Sequence, residues 1–236
     1  MALICQLILA AIKDPDKGPA LISVDEKTGI QALERIALEQ PVQPGRIRRI
    51  EYEYKRHGTT CLMAAQDVGL GKLIHYRLHP TRKEKDFLIF IQQVVAQFPP
   101  DKKIIFLADQ LNTHLSASLV RWIAEQISFE EDLGKPRQKG VLRDMKSRRA
   151  FLENPDHRIS FVFTPKHCSW LNPIENWFGK LQRHVIRFGN FQSVKELENK
   201  IIEYIDFYNR CLVKPLKWKF KGFIKAEQLK FIYTKT

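Results

Sequence analysis

Cysteine is scarce and scattered in this sequence. The four cysteines, Cys5, Cys61, Cys168 and Cys211, form no Cys-x-x-Cys pair and have no regular spacing. This pattern excludes the usual arrangements of a zinc site or a disulfide framework. We therefore expect a protein of a reducing compartment, the cytoplasm.

Long hydrophobic runs are also missing. No apolar stretch reaches the roughly 18 residues that a membrane span needs. The apolar opening, residues 2–12, resembles the core of a signal peptide, but no basic segment precedes it and no convincing small-residue cleavage site follows. The sequence also contains no internal repeat or low-complexity tract. These absences argue against export and against a membrane protein.

Acidic residues are in deficit. The 236 residues include 39 Lys and Arg but only 26 Asp and Glu, which gives a formal net charge of +13. Such an excess suggests a polyanionic partner, because neutralising phosphates releases condensed counterions. Nucleic acid is favoured over a membrane surface, although basic proteins that bind no polyanion also exist. With 44% hydrophobic residues, the chain can bury a complete core.

The hydrophobic pattern predicts an α/β protein. The expected order is helix 2–12, strand 20–25, hairpin strands 57–68 and 72–78 around Gly69 and Gly71, helix 85–98, buried strand 103–108, helix 115–127, strand 158–163, an amphipathic helix from Ile174 to Phe188, and a last helix after Ser193. A hairpin that leads into alternating strands and helices implies a mixed five-stranded sheet with helices on its faces.

Residues 129–156 differ from the segments around them. They are charged, contain Gly134, Pro136 and Gly140, and carry a concentration of Lys and Arg between residues 135 and 149. We interpret this segment as a basic insertion before the last strand, with a short helix over residues 142–152.

Three acidic residues occupy positions where a metal ion could be held. Asp25 and Asp109 follow apolar strands, and Glu175 lies near a helix start. Each has an ordinary alternative. An aspartate after a strand commonly bonds backbone amides in a turn. With Asn172 as N-cap and Pro173 as the first helical residue, Glu175 would instead complete a capping box.

Taken together, the three acids favour a catalytic site. Ligands collect at the carboxyl ends of strands in such sheets, where Asp25 and Asp109 would be neighbours. Carboxylate oxygens suit Mg²⁺ or Mn²⁺. Two such ions, held by Asp25, Asp109 and Glu175, would activate a nucleophile and stabilise the leaving oxygen in an in-line displacement at phosphorus.

Four motifs resemble a known family. They are Ser-Val-Asp-Glu-Lys-Thr-Gly-Ile-Gln-Ala-Leu-Glu-Arg at 23–35, Glu-Tyr-Glu-Tyr-Lys-Arg-His-Gly-Thr at 51–59, Asp-Gln-Leu-Asn-Thr-His at 109–114 and Thr-Pro-Lys-His-Cys-Ser-Trp-Leu-Asn-Pro-Ile-Glu at 164–175. In this order they resemble bacterial insertion-sequence transposases of the mariner superfamily. The resemblance implies an RNase H-like fold, metal-dependent DNA cleavage and strand transfer at TA targets, and Asp25, Asp109 and Glu175 as the catalytic acids.

Two features depart from that family. The 65 residues between Asp109 and Glu175 make an unusually long separation, which the basic insertion explains. Only 24 residues precede Asp25, so we expect the helix-turn-helix modules that recognise transposon ends to be absent. The expected organisation is a helix and linker remnant at 1–19, a catalytic domain at 20–212 and a basic aromatic tail at 213–236.

These departures leave alternatives open. The expected partners are transposon ends and target DNA, and both a separate helix-turn-helix polypeptide and a homodimer are compatible with the sequence. A truncated or repurposed remnant that binds DNA without cutting it is the main alternative function. A general RNase H-like nuclease is a third.

Further residues are candidates for DNA contact, although each basic group could be only a solvated face. The predicted DNA-binding residues are Arg46, Arg48, Arg49, Lys55, Arg56, His114, Arg143, Lys146, Arg148, Arg149, Lys166 and His167. The two histidines could instead be hydrogen-bonded loop residues. We expect Trp170 to pack rather than stack on bases, and Glu26 to face the side of the sheet opposite Asp25. The tail at 217–221 alternates lysine with aromatic residues, as an exposed edge strand can.

Overall fold

The computed structural model describes residues 1–37, 43–47 and 53–221. Its centre is a five-stranded mixed sheet with the order β3-β2-β1-β4-β5. The strands are β1 (Ala20–Arg35), β2 (Tyr54–Asp67), β3 (Leu73–His79), β4 (Ile104–Ala108) and β5 (Ile159–Phe163). The predicted α/β class with an RNase H-like mixed sheet is confirmed.

The sheet has an antiparallel half and a parallel half. Strands β1, β2 and β3 pair antiparallel, and the β2–β3 turn contains Gly71 in a left-handed conformation. A side chain at Gly71 would clash with the carbonyl oxygen of Lys214, so glycine is required there. Strand β4 pairs parallel with β1, and β5 pairs parallel with β4. The buried, apolar β4 is typical of a central parallel strand.

Helices cover both faces of the sheet. They are α1 (Ala2–Lys13), α2 (Glu84–Val95), α3 (Ala117–Gln126), α4 (Met145–Leu152), α5 (Ile174–Leu181) and α6 (Val194–Phe207). The hydroxyls of Ser116 and Ser193 cap α3 and α6 by accepting backbone amides, as expected for N-cap serines. The predicted long helix after Ile174 ends its α-helical part at Leu181 and continues as a π-helical turn, Gln182–Ile186.

The two faces of β1 pack on separate clusters. Alternation puts Ile22 and Val24 on the face that packs with α2, α3 and α4, and a register shift between Lys27 and Ile30 then turns Ile30 and Ala32 to the other face, with α5 and α6. A third apolar cluster joins α1 to Leu21 and Leu107. Each fully buried aliphatic side chain contributes about 1.5–3 kcal/mol relative to exposure. The same alternation sends successive polar residues of β1 to opposite faces.

One predicted boundary was wrong in a way that affects the site. We expected the first strand to end at Asp25, but β1 continues to Arg35 because it pairs with the long strand β2 beyond the end of β4. Asp25 therefore lies within a strand, paired with Ala64, and not in a turn. Its backbone is fixed by the ladder.

Two predicted segments have more contact with the core than their composition suggested. In the segment 129–156, Leu142, Phe151 and Leu152 are buried in the main cluster, and α4 starts at a capping box formed by Asp144. In the tail, the described residues up to Lys221 form no strand, but Leu216, Trp218 and Phe220 pack against the α1 cluster. The boundaries of the insertion and the tail stay predictions.

Candidate active site

Asp25 and Asp109 lie at the end of the parallel β1–β4 pair, where β1 continues beyond the last residue of β4. The register pairs Ser23 with Leu107. Two residues later come Asp25, within β1, and Asp109, directly after β4. The Asp25 carboxylate is buried, and it accepts hydrogen bonds from the Glu26 amide at 2.8 Å and from Nδ2 of Asn172 at 3.2 Å. Asp109 is partly exposed. The strand pairing thus brings the first two predicted acids together.

Glu175 lies in the first turn of α5, and its side chain is exposed. The predicted capping box is absent: α5 begins after Pro173, no side chain caps it, and the Asn172 amide donates to the Ser169 carbonyl at 2.7 Å. The capping interpretation of Glu175, and of Asn172 as its N-cap, was therefore wrong. The Glu175 carboxylate therefore does not cap α5 and can serve as a metal ligand.

Asn172 connects the helix start to β1. Its side-chain amide donates to the Val24 carbonyl at 3.0 Å as well as to Asp25, and its side-chain oxygen accepts from the Ser23 hydroxyl. Ser23 Oγ in turn accepts the Ile174 amide at 2.9 Å. Since Ser23 and Asp25 share one face of the strand, this network fixes the start of α5 beside Asp25.

Electrostatic coupling links the three acids. Burial is the largest cause of the raised pKa of Asp25, about 7, and the negative charges of Asp109 and Glu175 raise it further. Desolvation also raises the pKa of Glu175; the charge of Lys27 opposes this shift, and the charge of Asp109 adds to it. The carboxylates are thus close enough to repel one another. A cation placed among them would relieve that repulsion.

The three carboxylates are nevertheless not gathered into a closed ligand shell. Across residues 1–37, 43–47 and 53–221, no group of three or more His, Cys, Asp or Glu side chains is placed to hold a metal ion. Glu175 is the member that lies on a helix and not on the sheet, and its exposed side chain is less constrained than Asp25.

The predicted contact of His114 with DNA was wrong. Its ring is fully buried, with Nδ1 2.8 Å from Oδ1 of Asp109 and Nε2 3.4 Å from Oε1 of Glu26. Desolvation opposes its charge, but the hydrogen bonds and charges of Asp109 and Glu26 outweigh it and raise the pKa of His114 to about 9. A buried, doubly engaged imidazolium cannot contact DNA phosphate. Glu26 faces away from Asp25, as predicted.

His114 also affects Asp109. Partial burial alone would raise the pKa of Asp109, but the hydrogen bond from His114 and its positive charge lower that pKa, assisted by the Leu111 amide and Arg82. Asp109 is therefore ionised under neutral conditions. Arg82, which precedes α2, was not predicted, because no sequence pattern marks it. Ser23 was not predicted either, although its position two residues before Asp25 indicates a shared face of the strand.

The remaining basic candidates divide by their surroundings. Arg46, Lys55, Arg56, Lys146, Lys166 and His167 are exposed. Arg143 is also exposed but pairs with Asp144 at 2.9 Å. Arg48 and Arg49 lie outside the described residues.

Two arginines of the segment 129–156 make contacts within the protein. Arg148 donates to the carbonyls of Leu142 and Leu115, at 3.3 and 3.1 Å. Arg149 pairs with Glu153 at 2.9 Å and lies over the Phe163 ring. These contacts give both residues a structural role, and DNA binding by them stays a prediction.

A cleft of about 220 Å³ lies beside Asp109. Lys166, His167 and Ser169 line its other side, and His167 has a left-handed backbone with φ of 62°. A non-glycine residue in that conformation is uncommon and often marks a functional loop. Trp170 follows this loop and is 49% exposed, so it is not a core residue. Its ring packs edge to face against the Phe220 ring, at 5.0 Å and 72°, and this contact agrees with the predicted packing role for part of the side chain.

Comparison with known proteins decides the family. The family model described as DDE superfamily endonuclease matches residues 20–198. The chain belongs to this DDE superfamily. No curated protein matches it significantly. The matched residues include Asp25, Asp109 and the start of α5.

Solved structures agree in fold. The chain is similar to the Mos1 mariner paired-end complex with Mn, with a TM-score of 0.53 and 16% identity over 89% of this chain and 56% of that one. A pre-cleavage Mos1 transpososome gives a TM-score of 0.53 and 17% identity over the same shares, 89% and 56%. The chain thus spans just over half the length of these proteins. At this identity the similarity establishes the fold.

Proposed function

We propose that this chain is the catalytic part of a mariner-like DDE transposase, which cleaves DNA and joins it to a target with Mg²⁺ or Mn²⁺. The observation that carries the proposal is the arrangement of three acids in a DDE-family fold: Asp25 and Asp109 follow paired positions of β1 and β4, and Glu175 lies at the start of the helix that Asn172 connects to Asp25. The family alone supports phosphodiester cleavage. The Mos1 structures, named as paired-end and strand-transfer complexes, support transposition.

The residues present suit a hard divalent cation. Asp25, Asp109 and Glu175 offer oxygen ligands only, which Mg²⁺ and Mn²⁺ prefer. The hydrogen bonds and ion pair of the Asp109 carboxylate involve Oδ1 in the described part of the chain, so Oδ2 is free to face a cation. Two bound ions would supply an activated oxygen nucleophile and stabilise the leaving oxygen.

The chain itself would orient the DNA. Lys166 and His167 line the same cleft as Asp109 and would contact the phosphates that flank the scissile bond. The Ser23–Asn172 network would hold the start of α5, and hence Glu175, at a fixed distance from the sheet. Such positioning of reacting groups is a large part of catalysis in phosphoryl transfer.

The finer parts of the proposal follow from the family resemblance. They are a catalytic domain over 20–212 with an insertion at 129–156, joining at TA dinucleotides, and action in the cytoplasm on transposon ends. Besides DNA, the proposed partners are a separate helix-turn-helix polypeptide and a second copy of the chain. No helix in the described ranges is long and apolar enough to cross a membrane.

Cleavage of the element's own ends tests the proposal. The purified chain is mixed with a duplex carrying the DNA that flanks its gene, with Mg²⁺, Mn²⁺ or EDTA. We expect metal-dependent nicking and joining that Asp109→Asn abolishes. Asp101→Asn, at an exposed turn, is the matched control and should leave activity unchanged.

The other outcomes separate the alternatives. Salt-dependent binding without cleavage, even when a helix-turn-helix polypeptide is supplied, would favour the non-catalytic remnant. Cleavage that does not depend on the terminal sequence would favour a general nuclease. Cleavage by Asp109→Asn would contradict the assigned mechanism.

A further inference from the structure

Glu26 is a buried acid with no assigned part in the proposed reaction. It neighbours Asp25 in sequence, but the alternation of β1 places its side chain on the opposite face of the sheet, next to His114. The side chain is 1% exposed, and among the described residues its Oε2 has no hydrogen-bond partner. Burying a carboxylate that is incompletely satisfied costs free energy. Stability alone therefore does not explain why a glutamate occupies position 26.

His114 joins Glu26 to Asp109. Its Nε2 is 3.4 Å from Glu26 and its Nδ1 is 2.8 Å from Asp109, and the ring is completely buried. The Phe87 ring packs against the imidazole with a centroid separation of 4.1 Å. The two acids and the packed aromatic ring restrict the rotation of His114. We call Glu26, His114 and Asp109 the Glu26–His114–Asp109 triad.

The triad determines which oxygen of Asp109 is available. His114 and the Leu111 amide, at 3.1 Å, both approach Oδ1. With that oxygen held, Oδ2 is left to bind a cation beside the cleft that Asp109 lines together with Lys166 and His167. A carboxylate held in this way needs no reorientation to bind a cation, which is how residues behind a metal ligand increase affinity.

We propose that Glu26 and His114 are positioning residues, which fix Asp109 with Oδ2 toward the divalent cations. This inference rests on the proposed function, because it assigns Asp109 as a metal ligand. Glu26 acts through His114: it holds the distal nitrogen of the ring, and the ring holds the aspartate. Neither residue touches the DNA or the metal.

The first test measures Mn²⁺ affinity by electron paramagnetic resonance of the free ion. Glu26→Gln keeps the volume of the side chain and removes its charge. We expect its dissociation constant for Mn²⁺ to rise about 10- to 100-fold, the range for residues that support a metal ligand. Thr60→Val is the matched control, because it removes another buried hydrogen bond, from Thr60 Oγ1 to Glu198 at 2.8 Å. It should leave that constant unchanged.

The second test needs no metal. In protein with EDTA, the ¹³C resonance of the Asp109 carboxylate and the ring ¹⁵N resonances of His114 report their hydrogen bond directly. We expect Glu26→Gln to shift both and Thr60→Val to shift neither. If Glu26→Gln unfolds the chain, His114→Gln replaces it, and the Mn²⁺ constant and the Asp109 resonance should change in the same way.

The outcomes are distinct. Unchanged Asp109 resonances and unchanged Mn²⁺ affinity in a folded Glu26→Gln variant would overturn the positioning role, even if its melting temperature falls. If wild type binds no Mn²⁺ while Glu26→Gln still moves the Asp109 resonance, the proposed function fails and the positioning of Asp109 is supported.

Discussion

The side-chain amide of Asn172 donates to Oδ2 of Asp25 at 3.2 Å, joining residues 147 positions apart in sequence. Asn172 is 1% exposed, and its other contacts, with Val24 and Ser23, are also buried. This relationship places the loop before α5 against the strand that carries Asp25. It makes the geometry of Glu175 depend on an amide that has no catalytic chemistry of its own.

Replacing Asn172 should therefore reduce both stability and activity. Asn172→Ala leaves the Val24 carbonyl and the Ser23 hydroxyl short of a partner, and an unsatisfied buried group costs about 1–3 kcal/mol. Urea unfolding should show a loss of that size. Asn176→Ala, at an exposed position of α5, should change stability by less than about 0.5 kcal/mol. Equal stabilities of the two variants would contradict the network.

Metal-free stability should depend on pH through Asp25. The folded protein binds this proton up to about pH 7, whereas the unfolded chain releases it near the ordinary value of 3.8. Between those values the native state holds more protons, so the Asp25 contribution makes stability fall as pH rises. Asp25→Asn removes this dependence.

The measurement compares wild type with Asp25→Asn by thermal unfolding in EDTA from pH 4 to 8. The variant should gain stability relative to wild type as pH rises through the window from 3.8 to about 7, and the gain should level off above it. A difference between the two proteins that is constant across this range would show that Asp25 titrates normally.

Basic residues should separate into DNA contacts and structural links. Lys166→Ala should lower the magnitude of the salt-dependence slope of DNA binding by about 0.9, the value for one lost phosphate contact, with stability unchanged. Arg148→Ala should instead destabilise the fold, since its guanidinium holds the carbonyls of Leu142 and Leu115. Fluorescence anisotropy at several salt concentrations, beside urea unfolding, distinguishes them. The opposite pattern would reverse the two roles.

Trp170 should stack on a base of bound DNA. Its ring is half exposed at the end of the loop that lines the cleft, and stacking of one base on an aromatic side chain contributes about 1–3 kcal/mol. Trp170→Ala should weaken binding of single-stranded DNA by that amount, while Trp170→Phe should retain most of it. Phe207→Ala, also exposed but on α6, is the control. Equal loss in both alanine variants would argue against stacking.

The fold could be read from the sequence because its signals are local. The apolar run before Asp109 identifies a covered strand, and Gly69 and Gly71 mark the hairpin. The signal that determines the end of β1 is not local. Whether the strand ends after Asp25 depends on β2, which comes later in the sequence and pairs with β1 up to Arg35.

The contacts of the proposed site could not be predicted from the sequence. Motifs predict Asp25, Asp109 and Glu175 as its members, and the strand register brings the first two together. The role of Asn172 was misread, because a local capping pattern competes with a bond to a strand 147 residues away. For His114 the hydrogen-bonded alternative was correct and the DNA contact was wrong, for a similar reason: its burial depends on Glu26 and Phe87, which are distant in sequence.

The proposed function requires that Asp25, Asp109 and Glu175 together bind divalent metal. Titration with Mn²⁺, followed by electron paramagnetic resonance, measures this binding. We expect two bound ions in wild type, in keeping with a two-metal site. We expect marked weakening in Asp25→Asn, Asp109→Asn and Glu175→Gln, and no change in Asp101→Asn. Binding by Asp109→Asn that equals wild type in both affinity and number of ions would contradict it.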